Sequence, residues 1–304
     1  MSLAQLFDAD MFGSVIRALI PILLAAIGGL ICDRAGVFNI ALEGMMLVGC
    51  FAAVAGSYLG HNAWMGVLIA VAAGVASSVI LAYGAVTRRG DPIVLGVAMN
   101  LFGSGITSFM LVALFHIRGV FQSPRVVGLP TWEVPGLSNL PWVGRVLFSL
   151  TILGYLALLL VPAVYFVLNA TSLGLRLRGV GERPLAAASL GVDPSRYQYG
   201  AVLVSGALCG LAGAQLALGN VVQFSEGMSA GRGWIAVVAV MLARAHPFGV
   251  LGACLLFGYA DALGFRLQGN GLPAQITDAA PYVVTLLALI LARKQFRGRH
   301  GLLS

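Results

Sequence analysis

Charged residues punctuate this chain so sparsely that the stretches between them define its elements. Residues 63–86, 92–115, 146–168 and 197–219 contain no Asp, Glu, Lys or Arg. Residues 13–32 hold only Arg17, 37–59 only Glu43, 247–265 only Asp261 and 275–292 only Asp278. A crossing of a lipid bilayer takes about 20 residues, and a helix in lipid can be apolar all round, with no amphipathic stripe. These eight stretches therefore predict eight membrane helices. A ninth segment, 229–243, is short and opens on the glycine-rich run GMSAGRGW. It reads either as a crossing or as a re-entrant half-helix.

Composition agrees with that pattern. Of 304 residues, 59% are hydrophobic and 10% charged, with a mean hydropathy of +0.94, whereas a soluble domain carries about 25% charge. Nine spans and their connections occupy residues 1–304 as one membrane domain, with no room for a second folded one. The 40 glycines lie within the apolar runs, as expected where helices pack closely through small residues. Cys32, Cys50, Cys209 and Cys254 also sit in apolar runs without a CxxC pair and read as small buried hydrophobes, neither disulfide nor metal ligands. The first residues, MSLAQLFDAD, lack a basic n-region, so no cleaved signal peptide is expected.

The formal charge of +7 sets orientation rather than marking a nucleic-acid partner. With nine crossings and an external N-terminus, twelve Lys and Arg fall on the cytoplasmic side and five outside, with Arg17 inside the first span. If 229–243 does not cross, the cluster Arg293, Lys294, Arg297 and Arg299 moves outside, against the positive-inside bias. Nine crossings with a cytoplasmic C-terminus is the expectation. Loop 116–145, with prolines and two tryptophans, then reads as an external interfacial loop with aromatic anchors. Loop 169–196 is basic and cytoplasmic, and Pro184 can open a short helix in it that Gly191 ends.

Three motifs in this order carry a family resemblance. The loop segment LRLRGVGERPLAAASLG, Leu175 to Gly191, resembles the EAA loop of ABC importer permeases. It is most similar to the "LRAVGENPxAAxxxGI" version of permeases for nucleosides, simple sugars and branched-chain amino acids. DRAGVFNIALEGMML, Asp33 to Leu47, resembles the "ERSGVFNIGLEGMML" signature of the nucleoside branch. GRGWIA from Gly231, followed by FGYADAL from Phe257, resembles that branch's "GRGFIALAAV…FGLADAL" region. Arg183 stands where the family often has Asn, and Ala41 where it often has Gly.

The resemblance implies an all-α, type II ABC importer-like permease of about nine transmembrane helices in a bacterial inner membrane. It implies a heteromeric complex with a second related permease, a cytoplasmic ATPase and an extracytoplasmic binding lipoprotein. The chain has no GxxxxGK[ST] run. It is therefore expected to be a transport subunit and not an enzyme, binding no cofactor, with ATP and magnesium on the partner. Glu182, Arg183, Pro184, Ala187 and Gly191 are the expected ATPase-coupling residues, Glu182, Arg183 and Asp193 framing the short helix with charge.

Polar residues inside the spans are the remaining candidates, since a carboxylate at the centre of a bilayer costs about 2.5–3.5 kcal/mol on insertion scales. Asn39 and Glu43, at i,i+4 on one helical face, either line a substrate pathway or hold a broken helix together. In the latter case Glu43 accepts from freed backbone groups or from Arg34. Asn100, Gln215 and Asn220 either join the pathway or make interhelical hydrogen bonds. Asp261 with Arg266, and Asp278, read as ion-pair or helix-end charges. Ser205, Gly206, Cys209, Gly210, Gly213 and Ala214 form a small-residue packing face, and the four histidines have no ligand spacing. A ribose-type sugar permease is the nearest alternative. An ion-coupled secondary transporter would want more acidic groups deep in the membrane, and a membrane enzyme would want paired carboxylates, metal-spaced His/Cys or a nucleophile elbow.

Overall fold

The computed structural model describes residues 9–133, 149–268 and Val283. Its helices are α1 (Ala9–Arg34), α2 (Leu42–Gly60), α3 (Ala63–Ala82), α4 (Pro92–Phe115), α5 (Ile152–Ala170), α6 (Ser172–Glu182), α7 (Pro184–Ser189), α8 (Pro194–Ala214), α9 (Arg232–Leu242) and α10 (Pro247–Gln268). Wider π turns extend α3 through Tyr83–Thr87 and α8 through Gln215–Val221. Among the described residues, seven helices are long and apolar enough to cross a membrane. Apart from Val283, the expected span 275–292, the basic cluster after it and residues 134–148 lie outside the described residues.

Helices α1, α2 and α8 form the buried centre, and α3 packs along α2 and α8. Small residues make this possible: a Cβ on Gly210 would overlap the carbonyl of Ala70, and one on Gly206 the side chain of Ser78. The backbones of α3 and α8 thus touch where lipid would supply no hydrophobic drive. Outside this core, α4 packs on α2, while α5 packs on α1 and α10. The four cysteines are free and buried.

Two short hairpin-like pairings close one end of the bundle. Strand β1 (Val120–Phe121) pairs with β4 (Phe224–Ser225), and β2 (Thr131–Glu133) with β3 (Ser149–Thr151). Phe115 stacks on Phe121, Tyr58 meets both edge-on, and Phe51 meets Phe115 and Phe224 edge-on, so the loop after α4 is anchored by aromatic rings. His61 and His116 adopt left-handed conformations as C-caps of α2 and α4, a structural use that their spacing did not signal.

Three boundaries differ from the sequence expectation. The second span begins at Leu42, because residues 37–40 form no helix and 41 turns. Residues 149–151 are strand, so the fifth span starts at Ile152. Segment 229–243 is helical only over Arg232–Leu242, 11 residues, or about 16 Å at 1.5 Å per residue, half the hydrocarbon thickness of about 30 Å. Its two ends nevertheless lie far apart. Asn220 donates to the carbonyl of Arg17, in the first half of α1, and Arg34, the last residue of α1, donates to the carbonyls of Ala245 and Arg244. The chain therefore traverses the bundle between Val221 and Ala245 as a run of turns followed by a half-helix.

The α3–α8 seam yields a stability test. Gly210→Val should lower the melting temperature of the purified protein, since overpacking a tight core costs about 1–3 kcal/mol. Gly252→Ala, at a position with open space around it, should leave it unchanged.

Candidate functional site

The site forms where two interrupted elements meet. Ahead of α2 the backbone leaves the helix at Gly36, and Asn39 shapes the turn into α2: its Oδ1 accepts from Ala41 N at 2.9 Å and its Nδ2 donates to Ser205 Oγ at 2.9 Å. Asn100 of α4 clamps the same stretch from the other side, donating to the Ile40 carbonyl (3.0 Å) and accepting from Gly44 N (2.7 Å). Both amides thus satisfy backbone groups that a continuous helix would have paired internally, which irregular backbone at membrane depth requires. Gly44 allows the approach, since a Cβ there would sit 2.5 Å from the Met99 carbonyl oxygen.

Glu43, in the first turn of α2, faces the start of the half-helix α9. Its Oε1 accepts from Ser229 Oγ (2.6 Å) and Gly231 N (2.9 Å), and its Oε2 from Gly233 N (2.6 Å). A carboxylate at a helix N-terminus meets both the orphan N–H groups and the positive end of the helix dipole. Gly231 supplies the left-handed residue before α9 (φ 81°), a conformation glycine adopts without steric cost, and Gly233 has no side chain to push Glu43 away. Arg232 then turns outward to Asp261 of α10, pairing at 3.1 Å with both side chains mostly buried.

The i,i+4 placement of Asn39 and Glu43 on one helix is corrected here, because Asn39 precedes the helix. Of the two donors expected for Glu43, freed backbone is what it receives; Arg34 goes to Ala245 and Arg244 instead. A cavity of about 350 Å³ opens beside the carboxylate, lined by Asn100, Ser104, Ser229, Gly231 and Trp234 among others. In the sequence Trp234 is only one letter of a motif, and its position on the cavity wall comes from tertiary packing. Gln215 lies elsewhere: it is buried in the π turn, accepts from Thr151 Oγ1 at 2.6 Å and donates to Asn220 at 3.2 Å. Asn39 is also buried, so of the four expected pathway residues Glu43 and Asn100 line this cavity.

The loop 169–196 forms the other candidate. Helix α6 leads through Arg183, whose φ of −147° breaks the helix, into α7, which Pro184 opens. Gly191 (φ 82°) ends it in the left-handed conformation, and Val192 N bonds back to the Ala187 carbonyl. Glu182, Arg183 and Pro184 are exposed, but Ala187 is buried, facing inward. The outward groups are Leu185 and Leu190, 87% and 83% exposed, so the knob presents apolar surface as well as charge. Asp193 caps α8 through Ser195 N and pairs with Arg196 at 3.0 Å. Behind α7, Gly181 packs backbone to backbone on Arg34 and Gly36, directly at the break that leads to Glu43.

The model of the branched-chain amino acid transport system permease component family matches residues 11–292. The chain belongs to this family. Among curated relatives, the guanosine ABC transporter permease NupQ of Bacillus subtilis is 37% identical, covering 88% of this chain and 87% of that one. The nucleoside ABC transporter permease NupC of Lactococcus lactis is 35% identical, covering 89% and 88%. TsgC13 of Haloferax volcanii, provisionally named a glucose ABC transporter permease, is 37% identical, covering 88% and 80%. NupP and NupB, second permeases of the same two bacteria, match at 25% and 23%. A metal-chelate type ABC transporter solved in an inward-facing conformation shares the fold, with a TM-score of 0.50 at 16% identity over 93% of this chain and 85% of that one. This protein is a multi-pass membrane permease subunit of the ABC transporter class.

The Glu43 cap makes a graded prediction. Glu43→Ala leaves three donors unpaired, at about 1–3 kcal/mol for a buried unsatisfied group, and should sharply reduce thermal stability. Glu43→Gln has one accepting oxygen, so its NH2 opposes an N–H, and its melting temperature should fall between wild type and Ala. Equal melting of all three proteins would contradict the capping role.

Proposed function

We propose that this chain is one of two non-identical permeases of a bacterial inner-membrane ABC importer for nucleosides, fed by an extracytoplasmic binding lipoprotein and driven by a cytoplasmic ATPase that carries the ATP and magnesium. The similarity to NupQ and NupC over nearly the whole chain carries the substrate reading. Each of those relatives has a second permease of the same printed substrate in its own bacterium, to which this chain is also similar, which supports a mixed pair. The chain itself performs no hydrolysis on this reading.

The cavity beside Glu43 fits such a cargo in size and chemistry. At about 350 Å³ it falls within the range of small-molecule sites. Trp234 offers an aromatic face for a base, and Ser104 a hydroxyl for a ribose. Exposed Ser104 and Gly105 continue from it along α4, polar and small groups better suited to a partner-lined pathway than to lipid. Glu43 is on this reading a positioning residue for the pathway wall, and Asn39 and Gln215 support it from behind. A hexose importer is the second reading, favoured by the equal identity to TsgC13.

Charge gives the orientation: the side carrying Arg34, Arg88, Arg89 and the 169–196 loop is cytoplasmic, and loop 116–145 external. On that side the α7 knob docks the ATPase through Leu185 and Leu190, with Glu182, Arg183, Pro184 and Gly191 setting its shape and Ala187 its seat. Closure of the ATPase then pushes through Gly181 onto the break ahead of α2.

Proteoliposomes with both permeases, the ATPase and the binding protein should accumulate labelled guanosine, with uridine but not glucose competing. Competition by glucose alone would favour the hexose reading, and accumulation without the second permease would refute the mixed pair. In the same assay Trp234→Ala should raise the half-saturation concentration about tenfold, base stacking being worth about 1–3 kcal/mol, while Trp234→Phe stays near wild type. For orientation, a cysteine at Gln122 should react with an impermeant maleimide on intact cells and one at Arg89 only after permeabilisation. For coupling, Gly191→Leu and the Leu185→Ser/Leu190→Ser pair should keep normal membrane levels but lose ATPase co-purification and uptake.

A further inference from the structure

A second cavity, of about 410 Å³, lies at the opposite flank of the core from the Glu43 site, between α1, α5, α6 and α8. Its walls are aliphatic: Leu160, Val164, Leu168, Leu177 and Val204 line it, and among the described residues its only polar lining groups are Arg196 and Tyr197. Those two sit in the first turn of α8, while Leu168 is near the end of α5 and Ile31 near the end of α1, so the mouth opens where the membrane helices end. Arg176 of α6 reaches the same mouth, donating to the Tyr197 hydroxyl at 3.4 Å. The Arg196 side chain is 85% exposed and pairs with the surface carboxylate of Asp193. Leu159 and Phe166 continue the apolar surface outside the crevice.

An aliphatic slot ending in two guanidinium groups is complementary to one molecule available at that depth. We propose that this crevice is an anionic-phospholipid site, with an acyl chain lying along α5 and α8 and the phosphate held between Arg176 and Arg196. Guanidinium groups pair with phosphate through paired N–H donors, and basic pockets between membrane helices take lipid headgroups in this manner. A protein partner would meet no hydrogen-bonding group within the slot, whereas an acyl chain needs none. The membrane-end position is independent of substrate; only the leaflet, the cytoplasmic one, rests on the orientation proposed above. Because α6 and α8 flank both the crevice and the α7 knob, a bound lipid would brace the coupling loop.

The test uses the full-length protein in nanodiscs of equal phosphatidylglycerol and phosphatidylcholine, released for native mass spectrometry. Wild type should retain one phospholipid, with phosphatidylglycerol favoured at least fivefold. Gly200→Leu, which adds a side chain where a Cβ meets nothing within 4 Å and which lines the crevice, should lose the retained lipid while melting normally. The Arg176→Gln/Arg196→Gln pair should keep a lipid but with the two headgroups retained equally. Wild type without retained lipid, wild type without headgroup preference, or Gly200→Leu retaining lipid as wild type does would each overturn the site, whatever the transported substrate proves to be.

Discussion

A membrane helix that stops halfway leaves its first N–H groups with nowhere to go, because lipid offers no acceptor. Glu43 answers that constraint for α9, and its own charge is balanced by three donors in return. The same exchange holds α2 in place, since Glu43 sits in its first turn and Asn100 accepts from the next residue, Gly44. Three separate stretches of chain, around 39–44, 100 and 229–233, are thereby fixed to one point. Removing any one of these groups would strand backbone polar atoms on the others.

This arrangement also explains why the cavity has the lining that it does. Two elements that end inside the bundle cannot fill the space that full helices would, so a void remains where they meet, walled by their glycines and by Trp234. Irregular backbone at membrane depth is tolerable only inside protein or beside a water-filled cavity. The Arg232–Asp261 pair secures the far side of the half-helix to α10, leaving the break before α2 as the part joined most directly to the surface loop through Gly36 and Gly181.

The contrast between the two flanks of the core is one of polarity. The α4 side carries Asn100, Ser104 and Gly105, while the α5 side is aliphatic down to a basic mouth. The small-residue seam between α3 and α8 keeps those faces in fixed register, because backbones in contact cannot slide without clashing.

Much of this was legible in the sequence. Charge-free runs marked the long helices to within a few residues at most ends, because the cost of burying charge in lipid is local and needs no knowledge of neighbours. Proline and glycine at 184 and 191 marked the loop helix for the same local reason. What the tertiary structure alone decided concerns partners distant in the chain. That Asn39 precedes its helix, that Asn100 clamps the break, that Ala187 faces inward and that Glu43 meets residues 186 to 190 positions away depend on which orphan groups packing brings together. Such pairings satisfy hydrogen bonds across space, and a periodicity of 3.6 residues carries no information about them.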